Sequence, residues 1–231
     1  SMGMLLESRV TIRDGNDAPH GANAFGGANA QNIGAEDYNG QRFNVFVAKR
    51  PKPLSIGVEF GYQRGKTGVL TQDGSEVTMD GFGIAAELGY EPVDSDWKFS
   101  LKGGYATGDD PSTDDKYEGY VFDRNYDVAT LLFNHPLGAS DILRTGIARP
   151  VSQHASAYAD IETISNAFYL APMANWLWTE RTNVFARAAF AWLEQESFAD
   201  AGQDKGLGFE VDLGLTYKPV ERIEWRNELA L

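Results

Sequence analysis

Along residues 54–65, "LSIGVEFGYQRG", Leu54, Ile56, Val58, Phe60 and Tyr62 hold the even positions, and Ser55, Gly57, Glu59, Gly61 and Gln63 hold the odd ones. A period of two predicts a β-strand with one apolar and one polar face. The alternation returns over 81–90 (Phe82, Ile84, Ala86, Leu88, Tyr90), over 97–105 (Trp97, Phe99, Leu101, Gly103, Tyr105) and over 209–218 (Phe209, Val211, Leu213, Leu215, Tyr217). Val184, Ala186, Ala188, Phe190 and Trp192 make a less polar version with Arg187 on the opposite side. Residues 4–14, 41–50, 165–179 and 222–231 read as further strands, which brings the total to nine. Several run 10 to 13 residues, longer than the roughly five or six usual in soluble sheets. That length is close to the ~9 to 11 residues that cross a bilayer obliquely.

The connections carry a second pattern. "RPKP", "EPVDSD", "TERT" and "KPVE" are tight, and between them lie long stretches at 15–40, 64–80, 106–164 and 195–206. Strict alternation of short and long connections predicts a meander with all long loops at one end, as in an outer-membrane barrel with short periplasmic turns. Aromatic residues near the ends of the apolar rows (Tyr62, Phe82, Tyr90, Trp97, Tyr105, Phe209, Tyr217) fit an interfacial girdle, where a ring is buried and its polar tip meets headgroups. Aromatic residues are also good strand formers in any sheet. Nine strands is an odd count, whereas single-chain bacterial barrels normally have an even one. Two readings follow: a strand pair is hidden within 106–164, with "DVATLLFNH" at 127–135 as the obvious strand although one extra strand alone would break the loop polarity, or the chain is part of a larger barrel or sheet.

The expected fold is therefore an all-β, antiparallel up-and-down transmembrane β-barrel, or an incomplete one, with residues 1–231 forming a single domain. The apolar row then faces lipid through Phe60, Tyr62, Leu88, Tyr90, Trp97, Leu101, Tyr105, Leu213 and Tyr217. The polar row places Glu59, Glu87, Lys98, Lys102, Arg187, Glu210, Asp212 and Lys218 along a lumen, joined by Glu224, Arg226 and Glu228. Charges of both signs on one face form cross-strand ion pairs or line a wet channel; a mixed, hydrated interior is expected. Glu87 should lie within reach of Lys98 or Lys102 across the tight turn at 91–96.

Composition narrows the function classes. Lys and Arg number 20 against 33 Asp and Glu, a net charge of −13 that argues against a nucleic-acid partner. There is no cysteine, hence no disulfide or thiolate chemistry. No apolar run reaches the ~18 to 20 residues of a transmembrane helix. The chain opens on "SMG" without a signal-peptide pattern, so the expected localisation, the bacterial outer membrane, rests on the strands alone.

Candidate chemistry is sparse. Asp109, Asp110, Asp114 and Asp115, with Glu118, cluster in "GDDPSTDDKYEGYVFDRNYD" at 108–127 and are candidate Ca²⁺ ligands, because that ion accepts six to eight oxygens at flexible geometry. The spacing does not match an EF-hand, and a solvated loop is the plainer reading. His20, His135 and His154 fall in expected loops; Asn134 and His135 with Ser140 or Ser152 lack a nucleophile elbow, and no P-loop or dinucleotide fingerprint occurs. No enzymatic activity and no other cofactor are expected.

The segment "LKGGYATGDDPSTDDKYEGYVFDRNYDVATLLFNHPLG" resembles alginate-export-type outer-membrane porins, in which a strand ending in a G-Y-A-x-G-D motif, here Gly104 to Asp109, leads into a long acidic loop. The likeness covers about 40 residues. It implies a large monomeric barrel with a polar lumen that passes anionic sugars. The chain departs in size and charge, since the inward set holds six acids and five bases where alginate calls for a basic lumen, so that substrate is not carried over. The leading expectation is a porin-like channel for small hydrophilic solutes or ions. The alternatives are a structural, lipid-associated protein that forms homo-oligomers without transport, and a soluble carbohydrate-binding sandwich.

Overall fold

The structure, a computed structural model, describes residues 2–13, 38–70, 75–110, 112–113, 115–123, 125–133, 164–195 and 205–231. Its strands are β1 (Met2–Arg13), β2 (Tyr38–Lys49), β3 (Leu54–Leu70), β4 (Glu76–Tyr90), β5 (Trp97–Ala106), β6 (Lys116–Tyr117), β7 (Ala167–Thr179), β8 (Thr182–Leu193), β9 (Gly206–Val220) and β10 (Ile223–Ala230). Nine of them form one antiparallel up-and-down sheet in chain order, and the two-residue β6 adds to β4 in parallel. The described residues contain no helix, and β1 and β10 do not pair with each other, so the sheet stays open.

Register keeps the two faces distinct. Phe60 lies opposite Val45 and Ile84, Leu88 opposite Ile56 and Leu101, and Leu213 opposite Ala186 and Leu229. A slip of one residue would exchange the faces, so this alignment is what an alternating sequence specifies. The tight connections at 50–53, 91–96, 180–181 and 221–222 share one end of the sheet. At that end Glu91 bridges Lys52 at 2.9 Å and Lys98 at 3.2 Å. Hydrogen bonds from Lys52 and then Lys98 hold its carboxyl below the usual carboxylate range.

Two expectations are corrected. Residues 64–80 are mostly strand: β3 continues to Leu70 and β4 begins at Glu76. There the ladder outlasts the apolar alternation, helped by a Lys66–Glu76 ion pair at 2.7 Å and by the Thr67 hydroxyl donating to the Val77 carbonyl at 2.7 Å. The candidate strand at 127–135 is not a strand over its described part, 127–133, which is bent and turned with Phe133 at φ 68°; residues 134–135 lie outside the described residues. Among the described residues the up-and-down sheet therefore keeps an odd count of nine strands.

The core is not where an empty barrel would have it. Val128, Ala129, Phe133 and Ile164 from the β5–β7 connection pack with Ala167, Tyr169, Ala171, Ala189 and Ala191 of β7 and β8. This cluster sits on the same face as the charged row, where the alanines leave room for it. Loop residues thus cover part of the face on which the polar row lies.

Candidate functional site: the inner face and the loop across it

The stretch 107–133 crosses the polar face, here called the inner face, from one side of the sheet to the other. On the β2–β3 side Arg42 Nη2 donates to the Val121 carbonyl at 2.7 Å, Gln63 Nε2 donates to the Gly119 carbonyl at 2.7 Å, and the Tyr120 hydroxyl reaches Asn44 Oδ1 at 3.3 Å. The Arg42 guanidinium lies 4.7 Å from the Tyr120 ring centre. In the middle, Lys102 Nζ donates to the Asp127 carbonyl at 2.7 Å and stands 5.3 Å from the Tyr126 ring. On the β9 side one carboxylate, Glu210, accepts the backbone N–H groups of Thr130, Leu131 and Leu132 at 2.9, 2.8 and 2.6 Å. Arg187 donates to Asp212 Oδ2 at 2.6 Å and to Thr130 Oγ1 at 2.9 Å, and the Thr130 hydroxyl donates to Glu228 at 2.5 Å.

Glycine in the polar row makes this crossing feasible. A Cβ on Gly61 would collide with the Tyr120 hydroxyl, and one on Gly83 with the rings of Tyr120 and Phe122. At Gly81 it would meet the carbonyls of Glu118 and Gly119 at 2.6 and 2.7 Å. Close approach of a second backbone is a standard reason for glycine inside a strand.

The structure brings together most of the residues expected on the polar face. Glu87 is directly opposite Lys102, with an ion pair at 3.5 Å, and Arg187 is opposite Asp212. Lys98 instead turns to Glu91 at the tight-turn end, where Lys218 also pairs with Glu224 at 2.8 Å. Glu59 shares the inner face between Phe46 and Ala85. Sequence reasoning missed Arg42, Asn44 and Gln63 as contacts of the loop, and Thr130 as the loop residue that meets Arg187 and Glu228; the run of glycines opposite the apolar row was the available signal.

On the outer face Phe60, Leu88, Tyr90, Trp97, Leu213 and Tyr217 are exposed, while Tyr62, Leu101 and Tyr105 are half-buried by neighbours in the same row. Aromatic residues gather in two bands. Trp97 stacks on Trp176 at 5.7 Å near the tight turns; Phe82 meets Tyr105 at 5.6 Å, Phe168 meets Trp192 at 5.6 Å and Phe190 meets Phe209 at 6.3 Å near the long connections.

The carboxylates of Asp109 and Asp110 accept hydrogen bonds from within the acidic loop. Asp109 Oδ1 accepts the Glu118 N–H at 2.9 Å. Asp110 Oδ1 accepts the hydroxyl and N–H of Ser112 at 2.7 and 2.9 Å, and these bonds hold its carboxyl below the ordinary range. Asp115 is exposed and uses its carbonyl for the Thr78 N–H at 2.9 Å. Asp114 lies outside the described residues, as do His20, His135 and His154. Among the described residues no group of three or more His, Cys, Asp or Glu is placed to hold a metal ion. No family model matches the chain, and no curated protein matches it.

Proposed function

We propose that this chain is a porin-like protein of the bacterial outer membrane whose polar, loop-crossed face lines a path for small hydrophilic solutes or ions. The observation that carries the reading is the outer face: apolar side chains from Leu54 to Leu229 stay exposed across the sheet, with no second layer over them among the described residues. Water-facing apolar patches of a monomer rarely exceed a few hundred Å². Trp97 and Tyr105, at opposite ends of β5, are eight residues apart, roughly 26 Å along the strand at ~3.3 Å per residue, or ~20 Å of membrane height at the ~40° tilt of barrel strands, comparable with an apolar strip of about 25 Å between aromatic girdles. The described strands form one sheet, which counts against a two-sheet carbohydrate-binding sandwich. Reconstitution of the purified protein in planar bilayers tests the reading: discrete conductance steps are expected, and a protein that is monodisperse without detergent would overturn it.

The open edges of β1 and β10 favour a second reading, a lipid-associated structural protein that oligomerises without transport, since unpaired strand edges do not persist in hydrocarbon. Charge at the loop separates the two. Glu87 and Lys102 are partly exposed, and such pairs contribute about 0.2 to 1 kcal/mol. In a channel Glu87→Gln is expected to shift reversal potentials toward anions with little loss of stability. A silent wild type together with a several-kcal/mol loss in the variant would favour the structural protein, because a charge left unpaired in a dry interior is costly.

A further inference from the structure

Two carboxyl groups meet on the inner face of β9, under the far end of the loop. Glu210 is 2% exposed and accepts the N–H groups of Thr130, Leu131 and Leu132. Its carboxyl lies within hydrogen-bonding range of Asp212, which is fully buried. Asp212 receives the Arg187 guanidinium on Oδ2, while Oδ1 is buried with no hydrogen-bond partner among the described residues. A carboxylate oxygen taken out of water without a donor is costly, and buried acceptors are almost always satisfied.

The charges around the pair do not balance two ionised carboxylates. Strand β8 contributes Arg187, and β10 contributes Arg226 and Glu228. Across from Arg187, β7 brings only Met173. The loop is uncharged from 128 to 133, and the carboxylate of Asp127 before it accepts the Ala129 N–H at 3.1 Å. Three carboxyl groups therefore face two guanidinium groups, one of which, Arg226, sits on Glu228 at the exposed rim. No group of three or more His, Cys, Asp or Glu among the described residues is placed to hold a metal ion. A proton between Asp212 and Glu210 answers both facts: it gives Oδ1 a bond, and it leaves one negative charge for the three N–H groups to hold. Two carboxyl groups in contact titrate as a pair that does not readily lose both protons. We propose that Glu210 and Asp212 hold one shared proton while the loop is docked, and that undocking of residues 130–132 releases it. Carboxyl groups in water ionise near pH 4, so the uncovered pair binds no proton at neutral pH. Docking then takes up one proton, and the docked loop is favoured by acid and weakened as pH rises. This coupling follows from the fold and holds whether or not the inner face conducts.

The full chain folded in lipid vesicles gives two readouts. In the infrared difference spectrum between wild type and Asp212→Asn at neutral pH, a protonated-carboxyl band is expected in the wild type alone. Amide exchange at Thr130, Leu131 and Leu132, each rate divided by its intrinsic rate at the same pH, should rise by up to about tenfold per pH unit between about pH 6 and about pH 9. Amides of β3 and β4 treated in the same way should stay level. Asp212→Asn sets a permanent donor where the shared proton sits, so it should keep the loop docked and lose the slope. Glu91→Gln, in the tight-turn cluster, should keep the wild-type slope. A wild type without the band, a level profile at the three amides, or the wild-type slope in Asp212→Asn would each overturn the proposal. Should Asp212→Asn fail to fold, the wild-type slope decides alone.

Discussion

Leu88→Arg is expected to destabilise the protein by about 2 to 4 kcal/mol when it is folded in lipid vesicles, the cost of an arginine near the middle of a lipid-facing strip. Leu88 lies between Ile56 and Leu101 in the ladder, with the aromatic bands on either side, and it is 45% exposed. In water, an exposed Leu→Arg exchange on a strand would stay within about 0.5 kcal/mol. The two environments thus predict different results for one substitution, and urea titration of wild type and variant in vesicles reads the difference. A variant as stable as the wild type would mean that the outer face does not meet hydrocarbon. The inner face supplies the control: Ser100→Arg, in the next strand but pointing the other way, should be tolerated.

Glu210→Ala should free the far end of the loop. One carboxylate accepts three consecutive N–H groups there, and hydrogen bonds to a charged acceptor are each worth about 1.5 to 3 kcal/mol. Even with strong non-additivity, the loss should reach ~3 kcal/mol, about two decades in local opening. Hydrogen exchange at the amides of Thr130, Leu131 and Leu132 should accelerate by roughly that factor, while amides of β3 and β4 keep their protection. Glu210→Gln retains one acceptor oxygen and should fall between the two. If the three amides exchange as slowly in Glu210→Ala as in the wild type, the carboxylate is not what holds the loop down.

Much of the sheet was legible in the sequence because its signal is local. Alternation such as Leu54 to Tyr62 states both that a strand forms and which side chains share a face, and tight turns such as "EPVDSD" then force neighbours to pair. The contact of Glu87 with Lys102 followed from those two facts, leaving only a choice of register. The extension of β3 and β4 beyond 64 and 80 was hidden because polar residues there pair through backbone and ions without an apolar row. Residues 127–133 look like a strand by composition, yet Glu210 gathers three of their N–H groups on one side, which an extended ladder cannot do. That interaction depends on a partner about 80 positions away, so nothing in the stretch itself announces it. The glycines at 61, 81 and 83 did announce something, but glycine in a strand has several meanings until the approaching backbone is known.

The way the loop is tied down also orders the assembly of the molecule in time. Strand pairs such as β3–β4 and β9–β10 meet through turns of a few residues, whereas the loop's bonds to Arg42, Glu210 and Glu228 span 79, 80 and 98 residues of sequence. Long-range contacts carry a closure entropy that short hairpins avoid, and they form slowly for that reason. Hairpins such as β3–β4 and β9–β10 therefore come first, and the loop can find its receptor only after strands from both halves of the sheet stand side by side. Until that last step the glycine-floored inner face is bare, and the nascent sheet shows two uncovered sides to its surroundings instead of one.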